Sequence, residues 1–403
     1  MDDPEPVRGY LRLASRLGAL DGGLVLSHPA GAPFRDEAPA DPARLAELAA
    51  RSRVELAGAR LNPVRRDFLD GQLRALRQHG LRLAGIPTPF VAEAEECFGV
   101  RPERGDPERY RRAHAALDGL LPGRGDLALR LVLLGEREPV PPELLGRAVR
   151  ALADALRARV RASPGLPVQE RVDLRLVRGR PWSALHRYRG GFRSLVAVDS
   201  DRDPWAGRLP ALVAHETYPG HHAEHCRKEL SLVDRRGWAE HGVALRDTPQ
   251  ALLAEGIADL GLRIAVGPGW GRWAEDVLAE VGVALDGERA ERVREALFAL
   301  RRVRSDAALL LHRDGARPEE VVGYLRRWAL LPAERARRFV RYIADPRRRC
   351  GVVAYVEGAR LVRDRLDAVP GPETVRQLLD EPWTAERLRP ESGPLRRSAE
   401  DPG

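Results

Sequence analysis

The chain has 403 residues, 43% hydrophobic and 31% charged, the balance of a globular protein and not of a disordered one. A formal charge of +8 invites a nucleic-acid reading, but Lys228 is the only lysine and the arginines alternate with Glu and Asp, as in AERARRFVRYIADPRRR, the pattern of solvated helix faces. MDDPEPVRGYLRL has no basic start followed by an apolar run, and no later stretch approaches the roughly eighteen apolar residues of a membrane span, so neither export nor a membrane anchor is expected.

The first expected elements are helices. DPARLAELAARSRVELAGARL, PVRRDFLDGQLRALRQHGLRLAG, DPERYRRAHAALDGLL and PPELLGRAVRALADALRARVRA repeat apolar residues at helical spacing. Asp41 with Pro42, Asp106 with Pro107 and Pro141 with Pro142 supply N-cap and first-turn signals. From Val168 the texture changes: VDLRLV, SALHRY and RSLVAVDS alternate in twos, with GRPW and RGG as turns between them, which predicts a small sheet. Helical patterns resume at Leu209 and run through ALLAEGIADLGLRIAVG to GVVAYVEGARLVRDRL. Residues 389–403 are polar and proline-bearing and are expected to form a loose tail. The organisation expected is a helical part over 1–165, which lines one wall of a cleft, and a catalytic part over 166–388, the two able to form one compact domain. Cys97, Cys226 and Cys350 are far apart and odd in number, which fits ordinary thiols in a reducing cytoplasm.

Chemistry concentrates in Leu209 to Lys228, LPALVAHETYPGHHAEHCRK, which holds four of the ten histidines: His215, His221, His222 and His225. The apolar LPALVA leads into His215 and Glu216, which places that pair on a buried helix facing a cavity. In HExxH zinc helices the second histidine follows at four, so that both imidazoles share one face. Here that position is Pro219. On an unbroken helix at about 100° per residue His222 returns to within about 20° of His215, while His221 points away. A break at Pro219, which cannot donate to the His215 carbonyl, beside the flexible Gly220, would bring His221 round instead.

Glu255 stands in the otherwise apolar ALLAEGIADLGL. A buried acid needs a partner, and catalytic zinc ordinarily takes three protein ligands and keeps one position open, so Glu255 is the expected third ligand. Asp259 follows one turn later, an arrangement that resembles the Glu-x-x-x-Asp of thermolysin-type enzymes, in which the Asp orients a ligating histidine.

HETYPGHH resembles the HExxPGH signature of the bacterial domain-of-unknown-function family 885, helical proteins related to zinc metallopeptidases of the gluzincin type. LLAEGIAD at Leu252 to Asp259, LHRDG at Leu311 and AYVEGARLVR at Ala354 resemble later landmarks of that family. The likeness extends from Val168 to about Arg387, with Ile257 where the family often has Trp. It implies His221, directly after Pro-Gly, as the second histidine ligand beside His215, with Glu255 third and Zn2+ as the ion. Glu216 would then be the general base. It further implies a mainly α, zincin-like fold with a small β-sheet next to the metal-binding helix. Tyr355, His312 and Arg360, in the later landmarks, are the candidate oxyanion donors. His222 is the understudy ligand, and Glu224 the expected hydrogen-bond partner of a histidine. By analogy with helical zinc peptidases, RSLVAVDS is expected to be an edge strand that pairs with the substrate backbone. The function expected is a cytoplasmic zinc-dependent metallopeptidase acting on a small peptide or amide, with no nucleic-acid or membrane partner. A zinc hydrolase of a non-peptide amide or ester, and a metal-binding protein without catalysis, are the alternatives.

Overall fold

The computed structural model describes residues 3–27, 40–201 and 205–390; the tail expected to be loose lies almost wholly outside the described residues. The N-terminal helices are α1 Glu5–Leu20, α2 Pro42–Ala57, α3 Pro63–Leu83, α4 Phe90–Phe98, α5 Pro107–Leu120, α6 Leu127–Arg137 and α7 Pro142–Ala162. Asp41 and Asp106 cap α2 and α5 with their side chains, each followed by a proline in the first helical turn, as the sequence signals predict, and Asn62 caps α3 in the same way. After the sheet come α8 Leu209–Glu216, α9 His221–Lys228, α10 Pro249–Asp259, α11 Gly261–Ala265, α12 Trp270–Ala279, α13 Gly287–Ala299 and α14 Arg302–His312. The C-terminal helices are α15 Pro318–Trp328, α16 Ala333–Ala344, α17 Gly351–Ala368, α18 Pro372–Asp380 and α19 Ala385–Leu388. The fold is therefore mainly α, and no helix among the described residues is long and apolar enough to cross a membrane.

Among the described residues five short strands complete it: β1 Val25–Ser27, β2 Arg171–Val177, β3 Ala184–Tyr188, β4 Arg193–Asp199 and β5 Ala244–Leu245. β1 pairs with β5, and a second sheet has the order β2-β4-β3. β4 is parallel to β2 and antiparallel to β3. This corrects the expectation for Arg193 to Ser200. Alternation identifies a strand but not its neighbours, and β4 has both edges occupied, so no substrate backbone can pair with it. β3 is the sheet edge that packs against α8 and α9.

One large apolar cluster runs from Phe90 to Leu388, and a smaller one joins α1, α2 and α3 to Val243 and Leu245. Residue 165 thus does not separate two cores. α7 packs on α8, and α3 on α10, so the N-terminal helices buttress the elements that carry the histidine motif and Glu255.

Candidate metal centre

α8 ends at Glu216, and α9 starts at His221. Between them the backbone folds back on itself: the Gly220 amide donates to the Ala214 carbonyl at 3.1 Å, and the Ala223 amide to Thr217 at 3.1 Å. A side chain at Gly220 would meet the His215 carbonyl oxygen at 2.0 Å, so only glycine permits this return. The break delivers His221 to His215, their rings edge to face at 4.7 Å.

Glu255 arrives from α10. Its position is set by the crossing of α10 with α17, where a methyl on Gly256 would lie 2.4 Å from the Gly358 carbonyl and one on Gly358 2.1 Å from the Leu252 carbonyl. Two glycines thus let the backbones touch. His215 Nε2 is 3.5 Å from Glu255 Oε2, and His221 Nε2 is 3.9 Å from Glu255 Oε1. One ligand atom from each of the three lies within 4.8 Å of the others. Tetrahedral zinc with bonds of roughly 2.0 to 2.2 Å needs ligand atoms about 3.5 Å apart, so small side-chain adjustments suffice. Glu255 Oε2 is buried and has no hydrogen-bond partner, the condition a cation relieves. The three residues fit a zinc ion.

The other nitrogen of His215, Nδ1, faces Asp259 Oδ1 at 3.4 Å. Asp259 is in turn held by both arms of Arg301, Nη2 donating to Oδ1 at 2.7 Å and Nη1 to Oδ2. Arg301 carries no local signal in the sequence and was not expected. The chain Arg301, Asp259, His215 fixes the ring so that Nε2 is presented to the centre.

Charge balance points the same way. Glu216, Glu255 and Asp259 are three carboxylates in a confined space. Burial lowers the pKa of His215, but Asp259, Glu216 and Glu255 outweigh it and lift it to about 9. Burial pushes Glu255 up to about 7 against the pull of His215, and it raises Glu216 as well. Burial would also raise Asp259, yet Arg301 and His215 hold it well below the usual carboxylate range. Burial, then the His215 and His225 charges, keep His221 neutral. Metal-free, the centre stores a proton on His215; a divalent cation would replace it.

His222 is elsewhere. It is fully buried, its Nε2 donating to Glu170 Oε2 at 3.0 Å and its Nδ1 accepting from Ser194 Oγ at 2.8 Å. Ser194 in turn accepts from His186 Nε2 at 2.9 Å, and the His186 ring stacks on that of His221 at 5.6 Å. Glu170 also accepts from Tyr218 at 2.8 Å and from Arg157 Nε at 2.5 Å. Burial alone would raise this carboxylate; the His222, Tyr218 and Arg157 bonds bring it down to about 2. This network pins the turn between α8 and α9 to the sheet. His186, Ser194 and Glu170 come from strand and loop segments that carry no local motif, so nothing in the chain's pattern singles them out.

The remaining expected residues divide. Tyr355, 46% exposed on α17, stands beside Glu255, whose charge and the surrounding burial raise its hydroxyl pKa well above normal. His312 does not reach the centre: its Nε2 donates to the Ile343 carbonyl at 2.6 Å, and its ring stacks on Phe90. Arg360 is committed to Glu357 at 2.7 Å and Asp364 at 2.8 Å on its own helix. Glu224 pairs with Lys228 Nζ at 3.3 Å and, among the described residues, with no histidine. Lys228 itself is buried, its ammonium donating to the carbonyls of Leu378 and Glu381.

No family model and no curated protein matches this chain. Among solved structures it is similar to a candidate lipoprotein from Colwellia psychrerythraea, with a TM-score of 0.54 at 15% identity over 93% of this chain and 68% of that one. It is also similar to a candidate lipoprotein of unknown function from Shewanella oneidensis, with a TM-score of 0.50 at 12% identity over 87% of this chain and 72% of that one. At such identities the likeness is one of fold.

Proposed function

We propose that this chain is a zinc-dependent hydrolase of peptide or small amide bonds, as its resemblance to the domain-of-unknown-function family 885 implies. The observation that carries the reading is the convergence of His215, His221 and Glu255, with Glu255 Oε2 left without a partner. His215, His221 and Glu255 would hold the zinc ion, which would supply Lewis acidity and a nucleophilic water at neutral pH. Glu216, adjacent to His215 and raised in pKa by burial, accepts the proton of the attacking water and passes it to the leaving amine. The Tyr355 hydroxyl, neutral and half-exposed beside Glu255, donates to the oxygen on which negative charge develops. Asp259 and Arg301 hold the His215 ring in place. Three free, buried cysteines support a reducing, cytoplasmic location.

The test is hydrolysis of a panel of short peptides, small amides and esters by zinc-loaded chain, with and without chelator, beside Glu216→Gln. The expected result is amide cleavage that chelator abolishes and that Glu216→Gln lowers by about 10² to 10⁴ while retaining the metal. Equal rates for wild type and Glu216→Gln would overturn the reading.

A further inference from the structure

A cleft opens beside the first residue of α10, apart from the candidate metal centre. Its volume is about 740 Å³, within the roughly 300–1,000 Å³ of small-molecule sites. The walls come from α2, α3, α4, the start of α10 and α19. Pro249 lines it, whereas His215, His221 and Glu255 do not. Leu56 and Phe98 join Pro249 as its apolar surface.

One face of α3 supplies the polar wall, because Asp67, Asp70 and Arg74 follow one another at helical spacing. Asp70 is gripped by Arg53, Nε donating to Oδ1 at 2.8 Å and Nη2 to Oδ2 at 3.2 Å. Arg74 meets an acceptor already occupied: its Nε stands 3.5 Å from Asp70 Oδ2 and is buried without a hydrogen bond. From α19, Arg387 Nη1 comes only to 3.5 Å from Asp67 Oδ2. Arg389, exposed just beyond α19, pairs with no carboxylate among the described residues. Gly99, which ends α4 at φ 68°, lets these groups meet. A side chain there would begin 3.9 Å from Arg74 Nη2 and 3.7 Å from Ala385 Cβ, so the Arg74 guanidinium stands against α19, two residues before Arg387. The walls hold five arginines against four carboxylates, and one of the four, Glu95, is drawn away by Arg101 at 3.2 Å, outside the cleft. A guanidinium whose carboxylate is shared or out of reach keeps N–H donors for a ligand.

We infer that this cleft binds a small organic anion, its phosphate or carboxylate group seated among Arg74, Arg387 and Arg389 and its apolar body against Leu56, Phe98 and Pro249. Guanidinium groups match both oxyanions with paired N–H donors, and the apolar surface favours an organic ligand over a bare inorganic ion. The site stands independently of the hydrolase reading, since it shares no residue with the proposed metal ligands.

Binding, not turnover, tests this. Phenyl phosphate, benzoate, neutral benzamide and inorganic phosphate are titrated calorimetrically into the full chain after treatment with chelator, which removes any contribution from a metal ion. The same titrations are made with Arg74→Gln, Arg74→Lys and Arg389→Gln, with unfolding midpoints recorded to establish that each is folded. Arg389 is exposed, so its variant keeps the test open if Arg74→Gln does not fold. Phenyl phosphate, benzoate or both are expected to bind at least about tenfold more tightly than benzamide, and which of them does so names the oxyanion. Arg74→Gln and Arg389→Gln should each weaken that binding about tenfold, and Arg74→Lys less. Benzamide bound as tightly as the anions, inorganic phosphate bound as tightly as phenyl phosphate, no binding of either organic anion, or affinities unchanged in the glutamine variants would overturn the inference.

Discussion

Gly220 approaches His215 so closely that a methyl group on its α-carbon would lie 2.0 Å from the His215 carbonyl oxygen. This contact sets the angle at which His221 returns towards His215 and Glu255, and so shapes the proposed metal centre. Gly220→Ala is therefore expected to destabilise the fold by about 1–3 kcal/mol, the range for overpacking, and to weaken zinc binding about tenfold or more. Urea unfolding and competition with a chromogenic chelator measure the two effects. Unchanged affinity would show that His221 does not depend on the turn.

Metal content separates the two adjacent histidines. His215→Ala, His221→Ala and Glu255→Ala are each expected to lose the ion, while His222→Ala retains it. The cost in His222→Ala falls on stability, about 3–5 kcal/mol if Glu170 is left with incomplete partners in the interior. Elemental analysis of the four purified variants decides it; loss of metal from His222→Ala equal to that from His221→Ala contradicts the assignment.

Zinc affinity should rise with pH. His215 at about 9 and Glu255 at about 7 both hold protons that zinc must displace. Between those values binding releases about one proton, so the logarithm of the association constant climbs by about one per pH unit. Below pH 7 the release approaches two and the slope steepens. A slope near zero from pH 7 to 9 would mean that His215 is already deprotonated without metal.

Glu170 should govern stability in acid. Its folded pKa of about 2 lies below the 4.5 of an unperturbed glutamate, so the unfolded chain takes up its proton first. The stabilisation is complete above pH 4.5 and lost as pH falls towards 2. Glu170→Gln should flatten the dependence of the urea midpoint on pH within that window. An equally steep wild-type and variant profile would assign the acid sensitivity to other carboxylates.

Helices and strands were legible in this sequence because periodicity and capping are local: Pro42, Pro107 and Pro142 start α2, α5 and α7, and VDLRLV and SALHRY are strands. Strand order is not local, which is why β4 looked free and is in fact central. The candidate ligands were visible through an unusual clustering, and Pro219 with Gly220 indicated where the helix would stop. Arg301 was not visible, being one of dozens of arginines and made distinctive only by its contact with the Asp259 carboxylate, 42 residues away in the chain. Arg360 offered a readable warning: Glu357 three residues before and Asp364 four after are the spacing of helix-face ion pairs, and the structure pairs it with both. His312 gave none, since Ile343, whose carbonyl accepts its hydrogen bond, lies on another helix.

The buried ammonium of Lys228 has a practical consequence. It is the only side-chain amine in the chain, sealed between α9 and the end of α18 by two carbonyl oxygens. An amine-directed acylating reagent can therefore modify this side chain only when that seam opens, and the extent of labelling at one residue becomes a clock for local unfolding beside the histidine turn.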